Sequence, residues 1–400
     1  MENHPSDVPY VAHPLVATHR YYAIERVIYG KPFDEAIREQ IDVARAERVF
    51  VIAAPQATNT EPFARLLKAL GARHCGTFSD IPPHVPFASV RAATRQAQQS
   101  DADLLVTLGG GSAIDLSKAV SLCLKKKVND WNGLAQYSDL SSFDPSQRYA
   151  SDPGWIRSIA IPTTLSAAEL TWFTGVTDTE LGMKRVLGHP MLVPQTVIYD
   201  AALTLNVPLP LFLASGVKAV DHAAESIASL GHQPFSDAVS IHALGMLATA
   251  LPAVSRSPDD LNARLQCQVA AWLSISGGAS GVGVGASHAI GHMLGSHFSM
   301  PHGITSCVML PAVMRWNKSV NAERQSIVSA AMGRPGRDAG DVIEELIRAL
   351  GLPSRLRDAQ VSAESLPEIA RKTMEDAVLT RNPRRINDAG DVLEILQMAY

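Results

Sequence analysis

Four histidines gather in the second half of this chain at spacings that suit chemistry. His288 and His292 stand four residues apart in Gly285-Ala286-Ser287-His288-Ala289-Ile290-Gly291-His292, so on a helix they share one face. His302 follows ten residues later across a turn at Pro301. His222 lies on an earlier helical segment, with Lys218 four residues before it on the same face. Imidazoles converging from two helices are what a zinc or ferrous site requires. The His288–His292 pair lacks the glutamate of a zinc peptidase, because Ala289 fills that place, and a peptidase is disfavoured. One lone histidine is more often an ordinary core or surface residue. Three within fifteen residues, flanked by glycines, bring the functional reading level with that one.

A second constellation lies in the first half. The β-rich run Asp103–Leu108 leads into Gly109-Gly110-Gly111-Ser112, and Ala113–Leu124 continues with helical periodicity. Strand, glycine loop and helix make a phosphate cradle. Glycines let the backbone approach a pyrophosphate, and the helix N-terminus offers free N–H groups and a favourable dipole. Ser112 can donate to a phosphate or cap the helix, and Asp115 and Lys118 follow on its first turns. The spacing is not the GxGxxG fingerprint, so a glycine-rich turn without a ligand competes with this reading. At the end of an earlier strand, Ala53-Ala54-Pro55-Gln56 carries no carboxylate to hold ribose hydroxyls and reject a 2′-phosphate. NADH and NADPH therefore both stay open.

The elements that must position these groups change character along the chain. Apolar runs at Arg48–Ala54, Asp103–Leu108, Ser158–Ile161 and Thr196–Tyr199 alternate with helical patterns at Glu61–Leu70, Ser89–Ser100 and Ala113–Leu124, the signature of a parallel α/β sheet. From about Ala201, long apolar-periodic segments replace strands: Leu211–Leu230, Pro234–Leu251, Asp260–Ser276, Ala286–Ser296, Asn321–Met332, Ala339–Leu350 and Leu366–Val378. The expectation is an α/β dinucleotide-binding domain over 1–200 and an all-helical domain over 201–400, with the site in the cleft between them. Residues 128–155, rich in Ser, Asp and Pro, read as a surface loop, and Gly277–Gly285 as a helix entry or hinge.

Composition narrows the classes. A chain of 400 residues favours two domains, and 46% hydrophobic with 18% charged residues excludes a mainly disordered chain. A net charge of −4 without a dense basic block gives no footprint for nucleic acid; Lys125-Lys126-Lys127 reads as the solvated end of a helix. Cys75, Cys123, Cys267 and Cys307 form no CxxC pair and suggest reduced thiols in a cytoplasmic protein. The N-terminus from Met1 to Pro5 has no secretory signal pattern, and no apolar run reaches the roughly 20 residues of a membrane span.

Together these motifs resemble the iron-containing alcohol dehydrogenase superfamily over nearly the whole chain. The resemblance rests on Gly109-Gly110-Gly111-Ser112 with Asp115 and Lys118, on Ile161-Pro162-Thr163-Thr164 with Glu169 and Thr171, and on His222, His288, His292 and His302 in that order. It implies a dehydroquinate-synthase-like fold, NAD(H) or NADP(H), a small-molecule substrate, a homodimer, and hydride transfer. Thr163, Thr164 and Pro55 match positions lining the cofactor, and His292 the position that relays protons beside the nicotinamide. His222, His288 and His302 match ligands of an iron or zinc ion. The maleylacetate reductase branch is similar in Ala54-Pro55-Gln56, His84-Val85-Pro86, Ile198-Tyr199-Asp200 and Asn382-Pro383-Arg384. That branch reduces maleylacetate to 3-oxoadipate.

Lys218 departs from the family pattern. Metal-dependent members have a ligand aspartate four residues before the first histidine, and an ammonium there would repel a divalent cation. Asp221, about 100° around the helix from His222, is a poor substitute for the lost ligand; Glu225, one turn beyond, remains open but stands on the other side of His222. The expectation is therefore a metal-independent reductase in which Lys218 stabilises an enolate, donates a proton or binds a carboxylate, with His292, His222, His288 and His302 around it. The alternatives are a metal-dependent alcohol dehydrogenase with Lys218 tolerated, a lyase or cyclase on the same fold, and a cofactor-binding protein without turnover.

Overall fold

The computed structural model describes residues 23–82, 85–138, 153–178, 183–277, 281–298 and 300–400. The N-terminal segment, His84 and residues 139–152 of the expected loop lie outside the described residues. Contacts divide the chain after Asn206 into two compact units.

In the first unit, β1 (Arg26–Tyr29), β2 (Val49–Ala53), β3 (His74–Phe78), β4 (Leu104–Gly109), β5 (Arg157–Pro162) and β8 (Thr196–Tyr199) form one sheet in the order β1-β8-β5-β4-β2-β3. Every pairing in it is parallel. The helices are α1 (Phe33–Ala44), α2 (Glu61–Leu70), α3 (Phe87–Gln99), α4 (Gly111–Lys126) and α5 (Trp131–Ala135). Strands β2 and β4 are buried along their whole length, as a sheet covered on both faces requires. Alternate residues of β2 serve opposite cores. Phe50 and Ile52 pack with Val90 of α3 and Leu116 of α4, whereas Val49 and Val51 pack with Ile37 of α1 and Leu66 of α2.

The strand order reverses beside β2. From β2 the chain moves outward to β3, then returns to β4 on the other side and continues through β5 to β8. Connections leaving β2 and β4 therefore diverge and open a crevice at the strand C-termini, the place where open α/β sheets bind ligands. The glycine loop follows β4 and Pro55 follows β2, so both stand at this switch point.

Several local expectations hold closely. Helix α2 spans Glu61–Leu70 and stops at Gly71, whose φ of +56° is a left-handed value. The lysine run closes α4, with Lys127 in the left-handed cap position. Part of the expected loop is ordered instead: α5 is capped by Asp130, which accepts from the Gly133 N–H at 2.8 Å. An antiparallel hairpin of β6 (Phe173–Asp178) and β7 (Met183–Gly188) was not anticipated.

The second unit contains no strand among the described residues. Its helices are α6 (Leu209–Ala228), α7 (Pro234–Arg256), α8 (Leu261–Gly277), α9 (Ala286–Phe298), α10 (His302–Ala331), α11 (Ala339–Ala349), α12 (Leu366–Thr373) and α13 (Ala389–Ala399). The pattern starting at Asn321 is the second half of α10, which kinks there at φ −139°. The first half, with Pro311 inside, is a helix that periodicity alone left out. Helix α7 is, by length and composition, long and apolar enough to cross a membrane. Here it packs against α6 and α8, and its Asp237 pairs with Arg324 of α10 at 2.5 Å. All four cysteines are free, as expected.

Candidate active site

Strand β4 delivers the glycine loop to a crowded spot. A Cβ on Gly109 would stand 3.0 Å from the Cβ atoms of both Ala54 and Ala113, and one on Gly110 would stand 3.0 Å from Thr164 Cγ2. One on Gly111 would meet Ser166 Oγ at 3.2 Å. Each approach is tighter than ordinary Cβ packing, so a larger residue would make its neighbour give way. The Thr163 N–H donates to Gly109 O at 3.1 Å and the Ala54 N–H to Leu108 O at 2.9 Å. The ends of β2, β4 and β5 are thereby laced together, and Pro55, Gly109, Gly110, Gly111, Thr163 and Thr164 come into one neighbourhood. Ser112 is exposed on the first turn of α4, and the Asp115 carbonyl accepts from Thr174 Oγ1 at 2.8 Å.

Behind this loop lies Lys118, buried on α4. Its ammonium donates to Thr171 Oγ1 at 2.8 Å, to Phe173 O at 2.9 Å and to Ala168 O. Burial pulls its pKa down to about 8. Lys118 thus anchors the segment after Thr164 and Ser166. Glu169 is a structural carboxylate: it is buried, accepts from Tyr199 Oη at 2.7 Å, and has its pKa raised by desolvation. Asp200, next to Tyr199, receives the Phe33 N–H at the start of α1 at 3.0 Å.

In the helical unit, Lys218, Asp221, His222 and Glu225 fall at i, i+3, i+4 and i+7 of α6 and form one stripe. The His222 and His288 rings stack at 5.0 Å, and those of His292 and His302 meet edge to face at 6.1 Å. His288 Nδ1 lies 2.7 Å from Glu225 Oε2, which also accepts the Gly285 N–H at 2.9 Å, while Oε1 accepts the Ser287 N–H at 3.0 Å. Glu225 is therefore the anionic cap of α9, supplied from a neighbouring helix. Asp221 Oδ2 accepts Ser287 Oγ at 2.9 Å and Ser306 Oγ at 2.6 Å, joining α6, α9 and α10. Lys218 Nζ stands 4.0 Å from the same oxygen.

The electrostatics follow from burial. Desolvation, reinforced by His288 and Lys218 beside it, presses His222 well below its ordinary pKa. Desolvation and Lys218 bring His288 to about 3. Both imidazoles are neutral at neutral pH. Desolvation raises Asp221 and Glu225. His222 Nδ1, His288 Nε2 and Asp221 Oδ1 are buried without a hydrogen-bond partner.

Sequence reasoning counted Asp221 a poor ligand and placed Glu225 on the far side of His222, although the stripe on α6 was there to be read. Their oxygens and His288 lie within 4.8 Å of one another, the grouping among the described residues with ligand-like spacing. Asp376, 84 residues after His292, left no sequence signal at all; its Oδ2 lies 2.8 Å from His292 Nδ1. Asn382 proves structural. It exchanges amide hydrogen bonds with Asn317 at 2.8 and 3.0 Å and accepts the Ala286 N–H at 3.2 Å. Arg384 stacks over Trp316 at 3.8 Å.

Two family models, iron-containing alcohol dehydrogenase over residues 25–201 and its C-terminal counterpart over 212–400, match the chain. The chain belongs to the iron-containing alcohol dehydrogenase family. It is 33% identical to the dehydrogenase FUM7 of Gibberella moniliformis, over 93% of this chain and 95% of that one. It is 34% identical to the probable alcohol dehydrogenase EutG of Escherichia coli, over 74% and 72% of the two chains. The crystal structure of maleylacetate reductase from Agrobacterium tumefaciens superposes with a TM-score of 0.81 at 27% identity, covering 97% of this chain and 99% of that one. As a member of this family, and similar to its maleylacetate reductase branch, the protein is an NAD(P)-dependent oxidoreductase of small molecules.

Proposed function

We propose that this enzyme reduces an unsaturated oxo acid, maleylacetate being the model substrate and 3-oxoadipate the product, without a metal ion. The observation that carries the reading is the ammonium of Lys218, 4.0 Å from buried Asp221 and on one stripe with His222. The glycine loop at the sheet's switch point supports dinucleotide binding through Gly109, Gly110, Gly111, Ser112, Thr163 and Thr164, with Asp115 and Pro55 beside them. No carboxylate follows β2, so both NADH and NADPH are admitted.

His222, His288 and His302 are the residues that would hold an iron or zinc ion. Two unpartnered imidazole nitrogens suit a cation, but the set has no anionic member at position 218 and carries a positive charge there instead. Glu225 already accepts two backbone N–H groups and faces His288, and Asp221 accepts two hydroxyls. On this reading Lys218 takes the place of an anionic ligand, and the reaction runs through the chain's own groups.

Hydride adds to the alkene carbon β to the ketone, and the electron pair moves onto the carbonyl oxygen as an enolate. Lys218 offsets that charge in a low-dielectric site, the condition in which such a contact stabilises most. Neutral His222 and His288 line the site without adding charge, the His288 N–H being committed to Glu225. His292, 40% exposed, returns one proton from solvent to the substrate, so NAD(P)H and H⁺ are consumed together.

A second reading is favoured by one observation: His288 backs onto Glu225 as metal-bound histidines back onto carboxylates. It is a metal-dependent alcohol dehydrogenase. Rates of NADH and NADPH oxidation with maleylacetate, before and after exhaustive chelation, separate the two. Equal rates support the metal-free reductase; loss restored by Fe²⁺ or Zn²⁺ supports the second reading. A homodimer is proposed from the family resemblance, and sedimentation tests it.

A further inference from the structure

Two histidines of α9 are backed by carboxylates, and the two pairs differ in one respect. His288 and Glu225 are both buried, so that pair is sealed. His292 is 40% exposed, and its partner Asp376 is 21% exposed. A half-exposed imidazole on a helix has several rotamers and two neutral tautomers available unless something selects among them.

Asp376 is built to select. It precedes the short helical turn Ala377–Arg381, whose Val378 N–H donates to Oδ1 at 2.8 Å. Its own N–H donates to Thr373 O at 3.0 Å, and Thr373 is fully buried on α12. With backbone and one oxygen committed, Oδ2 has a fixed position, 2.8 Å from His292 Nδ1. Burial acts to raise this carboxyl, but the contacts with His292 and the Val378 N–H outweigh it and hold the pKa below its ordinary value. An ionised carboxylate only accepts, so the imidazole must present Nδ1–H to it. The other nitrogen, Nε2, keeps its lone pair.

We propose that Asp376 is the positioning residue of the proton relay: it locks His292 in the Nδ1–H tautomer and makes Nε2 the nitrogen that exchanges protons. This rests on the reading of His292 as the relay given above. In the reductive direction the imidazolium gives its Nε2 proton to the substrate anion formed by hydride addition and reverts to the neutral Nδ1–H form. Solvent then reprotonates Nε2. Asp376 keeps its charge throughout and stabilises the imidazolium that forms.

The test compares Asp376→Asn, Asp376→Glu, His292→Asn and the double variant Asp376→Asn/His292→Asn, in steady-state turnover and in ¹⁵N histidine spectra of the full chain. Asparagine still caps Val378 through its carbonyl oxygen, but its amide can donate to Nδ1 and stabilise the opposite tautomer. Asp376→Asn is expected to lower kcat about 10²-fold or more while the NADH KM stays within about twofold. Asp376→Glu is expected to recover much of that loss, and the double variant to be no slower than His292→Asn alone. The His292 spectrum should pass from Nδ1–H to Nε2–H in Asp376→Asn. Wild-type kcat in Asp376→Asn beside a dead His292→Asn would overturn the role of Asp376 and leave His292 as the relay. Wild-type kcat in His292→Asn would remove the relay and this inference with it.

Discussion

Lys218 Nζ and Asp221 Oδ2 lie 4.0 Å apart on one stripe of α6, and Asp221 is fully buried. The pair means that the cation at position 218 has an internal counter-charge and is held within the helical unit. It also means that removing the cation strands a buried carboxylate whose pKa is already raised by desolvation.

Lys218→Ala is expected to lower kcat/KM for an unsaturated oxo acid by about 10²–10³-fold, the range found on losing one contact to a developing oxyanion. Added Zn²⁺ or Fe²⁺ should not restore it. Steady-state assays on the purified variant check this, and near-normal turnover would take Lys218 out of the mechanism.

Metal content gives a separate readout. Wild-type protein is expected to hold well under one iron or zinc per chain, and Lys218→Asp to approach one, because the substitution supplies an anionic ligand beside His222. Elemental analysis after dialysis decides. A full equivalent in the wild type favours the metal-dependent alcohol dehydrogenase.

Glu225 caps α9 from another helix, so Glu225→Gln replaces an anion that serves two backbone N–H groups and His288. An amide cannot satisfy all three, and a loss of about 2–4 kcal/mol is expected. Urea unfolding followed by circular dichroism measures it; a change below the usual surface range of about 0.5 kcal/mol would show the cap to be dispensable.

Gly110 faces Thr164 closely enough that an added Cβ would stand 3.0 Å from Cγ2. Gly110→Ala is expected to raise the KM for the nicotinamide cofactor about tenfold or more, since backbone approach to a pyrophosphate is what the glycine provides. Thr164→Ser removes that methyl group and should recover part of the loss in the double variant. An unchanged KM in Gly110→Ala would move the phosphate site elsewhere.

Lys118 predicts a pH dependence. Its folded pKa of about 8 lies below the ordinary lysine value of 10.5, so the unfolded chain binds more protons between the two. Stability contributed by this residue therefore rises with pH through that window, by roughly 3 kcal/mol in all. Lys118→Met removes the ammonium that donates to Thr171 Oγ1, Phe173 O and Ala168 O and is destabilised at every pH. The advantage of wild type over Lys118→Met should widen between pH 7.5 and 10 in urea titrations. A constant difference would mean that the buried ammonium does not titrate there.

The local grammar of the chain settled much of this protein without coordinates. Strand β8 at Thr196–Tyr199 and helix α2 ending at Gly71 follow from period-2 and period-3.6 patterns with clear punctuation, because those signals are carried by neighbouring residues. The glycine loop after β4 was legible for the same reason. Short or mixed segments were not: β3 reads His74-Cys75-Gly76-Thr77-Phe78, and its strand character comes from pairing with β2. The site divides in the same way. Lys218 and the histidines were readable as spacings on single helices, and their order carried the family resemblance. The packing of α9 against α6 decided that Glu225 caps α9 and meets His288, rather than standing idle one turn past His222. Asp376 reaches His292 from 84 residues away, and nothing in the sequence between them encodes that distance. Periodicity is a property of neighbours along the chain, whereas hydrogen bonds between elements depend on how helices pack, which only the folded structure fixes.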